Sequence, residues 1–278
     1  MTISVDTPAW GMGQEGVGNG PLPAQSDYPD GLMSVINDPH RVYNSWVNGN
    51  EHFCFQGDTS VLNEAMKQFA QVDTPEHEVV LLPGPGKVNR FNGEPKKCDW
   101  MLHVVGGIVK SMTGKDGEAG VWDKYPTLTV YASGGEIDLD ALQIPQGISL
   151  VTRDDLRKRY LKGMASANNE TRASGAMFLA GADPFNGDNA TAIKALLNDE
   201  DSYVRANAAS SLARMGKVAE GAVPELKECL QKGDRYEEIY QNAIDKITQA
   251  EDRSSDAKEY EKTAKRIAEF VDKTSVRK

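Results

Sequence analysis

Apolar and small residues recur at helical spacing through residues 199–230, the most regular stretch of the chain. Val204, Ala208, Leu212 and Met215 mark one face, with Ala206, Ala209 and Ala213 beside them. So many alanines predict a helix gripped closely by its neighbours. Gly216 predicts its end, and a second helix starts near Ala222, with Pro224 in its first turn and Leu226, Cys229 and Leu230 on one side. One helical hairpin cannot bury such a face alone, and the preceding segment supplies the repetition it needs. A shift of 33 residues puts Arg172 on Arg205, Ala173 on Ala206, Ala176 on Ala209, Leu179 on Leu212 and Ala180 on Ala213. The same shift puts Ile193 on Leu226 and Leu197 on Leu230. A third copy follows at a slightly longer shift, with Ile239, Ala243 and Ile247 in the places of Val204, Ala208 and Leu212.

The pattern changes before residue 153. Residues 1–30 are rich in Gly and Pro without periodicity and predict an irregular arm, either a tail or one pinned to the body by Trp10, Leu22 and Tyr28. From Leu32 to Val47 apolar residues return around the turn at 37–40, and we read two short helical pieces. His52 to Gln56 suits a strand, and a helix follows with Asp58 or Thr59 as its cap and Leu62, Met66 and Phe69 in one stripe. The run Val79-Val80-Leu81-Leu82 is too continuous for a strand with one face in water. Strand, helix and strand predict a βαβ unit with a parallel pair. Further strands are expected at residues 100–105, 128–132 and 148–151. A last amphipathic helix over 255–274 carries Tyr260, Ala264, Ile267, Phe270 and Val271, to cap the last repeat or to dock on another subunit.

The order Asp201, Val204, Arg205, Ala208, Ala209, Leu212, Gly216 resembles a HEAT or HEAT-like repeat of the kind found in phycobilisome-lyase relatives. The resemblance covers roughly residues 154–250. It departs from the pattern at Asn168 and Thr171 in the first copy and at Tyr240, in place of the arginine, in the third. It implies that Arg172 and Arg205 are structural, pairing with an acidic group or helix end of the neighbouring repeat, and that the second helices line a concave side. On the helix carrying Val204, the positions turned outward are Asn207, Ser210 and Arg214, continued one repeat earlier by Ser174 and Met177. The N-terminal part, with HFCFQGD at 52–58, PGPG at 83–86, Asp99, Trp100, Leu102, His103 and Val104, and RKRYLKG at 157–163, resembles uncharacterised HEAT-containing proteins of planctomycete-like bacteria. That second resemblance implies an architecture and no activity.

Composition narrows the partners. The chain of 278 residues carries a formal net charge of −10, which argues against nucleic acid, because phosphate binding needs a concentrated positive surface. Cys54, Cys98 and Cys229 are odd in number and far apart, so neither a disulfide framework nor a CxxC metal site is expected. His40, His52, His77 and His103 show no HExxH or HxH spacing, and the sequence holds no EF-hand loop, GxSxG elbow or glycine-rich phosphate loop. Asp58, Asp99, His103 and His52 are the candidates for chemistry in the first domain, with the backbone donors near Thr59 as an anion site. On a straight strand Asp99 and His103 stand ~13 Å apart, which disfavours a dyad.

These readings predict four segments. They are an irregular arm with short helices at 1–48, an α+β domain at 49–152 (a small mixed sheet with a crossover helix), all-α HEAT-like superhelical repeats at 153–250 and an amphipathic helix at 251–278. The expected function is protein–protein interaction or scaffolding, with no catalytic residue, cofactor or metal. Two alternatives stay open: a small-ligand binder or enzyme using the first domain, and a structural subunit of a larger assembly. The expected partner is another protein or a second copy of the chain. No run is apolar enough to span a membrane, and no export signal opens the chain, so the expected compartment is the cytoplasm, or the periplasm or exterior if a signal has been removed.

Overall fold

A computed structural model describes residues 41–47, 50–55, 59–71, 77–83, 87–89, 95–97, 100–106, 126–132 and 138–276. The arm at 1–30, Asp58, Asp99 and the turn at 37–40 lie outside them. In chain order the elements are β1 (Arg41–Val47), β2 (Asn50–Phe55), α1 (Thr59–Phe69), β3 (Glu78–Pro83), β4 (Lys87–Asn89), β5 (Pro95–Lys97), β6 (Trp100–Gly106), β7 (Pro126–Ala132) and β8 (Ser149–Val151). Helices then take over: α2 (Arg153–Met164), α3 (Asn169–Ala182), α4 (Gly187–Ala195), α5 (Ser202–Met215), α6 (Val223–Gln231), α7 (Glu237–Thr248) and α8 (Ser254–Val276).

The larger sheet runs β1-β2-β6-β7-β3-β8, with β7, β3 and β8 parallel and the rest antiparallel. Two expectations are corrected here. Residues 41–47 form a strand rather than a helical piece. Val42, Tyr43, Trp46 and Val47 are β-branched or aromatic, and the register closes with Val47 opposite Asn50 around Asn48-Gly49, a pair that favours hairpins. The predicted βαβ pair is also not formed. β2 and β3 point the same way, but β6 and β7 lie between them. The apolar stripe of α1 is as read, since Leu62, Met66 and Phe69 are all buried, and the Phe69 ring meets His77 edge-on at 5.7 Å.

β3 is buried along five of its six residues, as its unbroken apolar run requires. Val80 and Leu82 join Leu156 and Tyr160 of α2 in the main core, while Leu81 and Pro83 line a cleft with Ala264 and Ile267 of α8. Helix α8 therefore covers one face of β3. Its extended contacts are with β3 and the turn Leu139–Ala141, the Tyr260 hydroxyl donates to the Ala182 carbonyl, and Glu261 pairs with Arg153 at 2.6 Å. This corrects the expected cap on the last repeat. The exposed positions of α7, such as Gln241, Asn242, Asp245 and Lys246, are polar and need no cover, whereas β3 needs a lid on each face.

In the helical part α3, α5 and α7 lie side by side, with α2 before α3 and with α4 and α6 behind. Leu179, Leu212 and Ile247, the residues matched by the repeat, are each fully buried. Each of α3, α4 and α5 starts at an Asn or Asp whose side chain accepts from the first turn: Asn168, Asn186 and Asp201. Gly216 ends α5 at φ 59°. Gly175 has a different task, because a Cβ there would stand 2.9 Å from the Met164 backbone nitrogen and 3.0 Å from the Tyr160 carbonyl oxygen of α2. Gly175→Ala should therefore push α2 from α3 and cost roughly 1–3 kcal/mol. A loss under about 0.5 kcal/mol in denaturant melts would show that the two helices part more easily than this contact implies.

Candidate functional site

The repeats are bolted together by an arginine ladder. Arg172 reaches Asp199 through two bonds of 2.8 and 2.9 Å, and its third nitrogen donates to the carbonyls of Ser166 and Ala167. One repeat on, Arg205 donates to the carbonyls of Asp199 and Glu200 and to Asp234 at 2.6 Å. Each guanidinium thus ties the loop before its own helix to the acid of the next repeat. Tyr240 stands where the third arginine would be. It is fully buried, and its hydroxyl donates to Asp234, so the ladder ends there.

The acids of the ladder are held ionised. Burial alone would raise Asp199, but the Arg172 guanidinium and the Asp201 backbone N–H bring it below its ordinary range. Asp234 behaves likewise, with burial outweighed by the Tyr236 N–H, Arg205 and Tyr240. Asp201 is lowered first by Asn169, whose amide donates to it at 2.5 Å from the preceding repeat.

This frame fixes a strip of side chains on successive helices. Ser174 and Met177 on α3 and Asn207 and Ser210 on α5 are half-exposed, and Asn207 is steadied by a 2.8 Å bond to the Tyr203 carbonyl. Arg214 differs from the outward placement expected of it. Its guanidinium turns into the gap between α3 and α5, donating to the Met177 carbonyl at 3.0 Å, and burial pulls its pKa down to about 10. Spacing puts residue 214 off the apolar stripe, but a long side chain can bend back over its neighbour.

Tyr203 is the side chain that the sequence reading passed over. At 41% exposure it is the exposed large hydrophobic of the described residues. It heads the stripe Tyr203, Asn207, Ser210 and lines a shallow groove with Asn169, Glu170, Asp201, Ser202 and Arg235. Arg235 lies over the Tyr236 ring at 4.8 Å. Its helical offset of four from Asn207 was the available signal.

Of the candidates in the N-terminal part, His52 and His103 stand directly opposite each other in the β2–β6 register. Thr59 is the first residue of α1. Among the described residues, no helix is long and apolar enough to cross a membrane. No curated protein and no solved structure matches the chain. Residues 157–256 match the family model for HEAT repeats, so the helical region that carries the ladder is a HEAT-like repeat array.

Proposed function

We propose that this chain is a protein–protein interaction or scaffold protein that binds its partner along the strip formed by α3, α5 and α7, with the sheet-bearing N-terminal half as an α+β domain beside the repeats. HEAT repeats are generally found in such scaffolds. The observation that carries the reading is the same strip on consecutive helices: Glu170, Ser174 and Met177, then Tyr203, Asn207 and Ser210, then Glu238, Asn242 and Asp245. The ladder locks each helix to the next, so little entropy is lost when a partner settles on it. Tyr203 and Met177 supply the apolar anchors, and the polar residues around them supply complementarity.

The test combines size exclusion with light scattering, for a second copy, and affinity capture with mass spectrometry, for a different protein. Tyr203→Ala with Ser210→Glu should weaken either association about tenfold or more. These residues lie off the core, so the melting temperature should stay within a few degrees. Unchanged association by the folded double variant would move the contact off this strip.

A further inference from the structure

Granting the strip proposed above, on which this rests, we infer that a partner protein lays a basic segment across it, with a lysine or arginine over the Tyr203 ring between Glu170 and Glu238. These three are the second residues of α3, α5 and α7, and all three are exposed. Their helix starts stand side by side, since Asn169 bonds Asp201 across one gap and Arg205 bonds Asp234 across the next. Packed neighbouring helices lie about 8–10 Å apart, so the row spans about 16–20 Å. Helix dipoles favour a glutamate in a first turn, but they give no reason for an aromatic side chain, 41% exposed, between two of them. A ring between carboxylates suits a cation.

Charge separates this side of the repeats from the back. Glu170, Glu200, Glu237 and Glu238 are exposed, and none is paired with a lysine or arginine among the described residues. The arginines here are occupied: Arg172 by Asp199, Arg205 by Asp234, Arg214 by the Met177 carbonyl and Arg235 by the Tyr236 ring. Lys246, exposed on α7, adjoins Asp245. Residues 184–198 and 216–232, which carry α4 and α6 behind, hold four acids and four lysines. There Lys194 pairs with Glu225 at 3.0 Å and Lys217 with Glu220 at 2.7 Å. The front therefore attracts a positive segment and the back does not. The chain's own arm does not fit, because residues 1–40 carry five acids and neither lysine nor arginine. A second copy is disfavoured too, since each brings a net charge of −10.

Displayed random peptides of about 12 residues, roughly twice the extended length the row needs, would be selected on the full-length chain. Those selected should be rich in lysine and arginine. Labelled with fluorescein, they should bind saturably by anisotropy and weaken as salt rises. Glu170→Lys with Glu238→Lys should weaken them about tenfold or more, and Tyr203→Ala about tenfold. Glu220→Lys with Glu228→Lys makes the same change in net charge on the back and should leave binding within about twofold. Thermal melts check folding, and Glu170→Gln with Glu238→Gln replaces the front reversal if that unfolds, with a loss of about threefold expected. Selection of apolar or acidic peptides that still need Tyr203 would overturn the basic segment and leave the strip standing. Basic peptides that bind Tyr203→Ala as tightly as wild type would remove the strip as well. The basic segment is also overturned by an absence of saturable binding, or by a loss from the front reversal no greater than from the back. A wild-type dimer in light scattering that the front reversal dissociates would overturn it too, in favour of a second copy.

Discussion

A chain cut after Gln249 loses cooperative unfolding and exposes the sheet, and the damage begins far from the cut. Helix α8 follows the last repeat in sequence but lies on β3 and the first repeat, where Tyr260, Ile267 and Phe270 are buried and the Tyr260 ring meets Phe185 at 5.4 Å. Removing it uncovers one face of a strand that is buried on both. Ile267→Ala alone should cost about 2–5 kcal/mol, because a side chain only 2% exposed leaves a cavity behind. In hydrogen exchange the truncated chain should lose protection first in β3, α2 and α3, with α6 and α7 following. Loss confined to α6 and α7 would instead restore the role of a cap on the last repeat. A melt and exchange pattern equal to those of the full chain would remove any structural role for α8.

What the sequence could show follows how far apart the contacting residues lie. The repeats were legible because each touches only its neighbour, so Ala176 and Leu179 announce the same environment as Ala209 and Leu212. The strand at Glu78–Pro83 was legible because burial on both faces leaves an unbroken apolar run. The position of α8 was not. An amphipathic face shows that Ile267 and Phe270 need cover, and nothing in their spacing says whether Ile247 or Leu81 provides it. The pairing of β2 with β6 was hidden for the same reason, since strand order is set by contacts across many residues. β1 is a different case. Its signal was local, in Asn48-Gly49 and the aromatic flanks, and the helical reading of Val42, Tyr43, Trp46 and Val47 lost to it. For the partner strip, spacing marked Asn207 and Ser210 but could not foresee that Arg214 bends back to the Met177 carbonyl.

Arg205→Met should be among the most damaging single changes in the helical region, and its cost should depend on pH. The two partners are 10% and 15% exposed, so removing the arginine leaves the Asp234 carboxylate buried with only the Tyr236 N–H and the Tyr240 hydroxyl to hold it. Breaking a buried pair from one side costs about 3–5 kcal/mol. The carbonyls of Asp199 and Glu200 lose their donor as well. Asp234 is held below its ordinary range in the wild-type fold. A carboxylate with a depressed folded pKa stabilises above the unfolded value, about 3.9, and that contribution fades as pH falls through the folded pKa. The wild-type chain therefore loses this contribution on acidification. In the variant burial dominates and Asp234 rises, so the gap between the two proteins is widest at neutral pH and narrows toward acid. Arg205→Met with Asp234→Asn removes the stranded charge and should recover part of the loss at neutral pH. Urea melts of the three proteins from neutral pH down to about 3, below the unfolded carboxylate value of about 3.9, would check this. A cost under about 1 kcal/mol, the scale of an exposed ion pair, or one that does not change with pH, would mean the pair is a solvated surface contact and the repeats are held by their apolar faces alone.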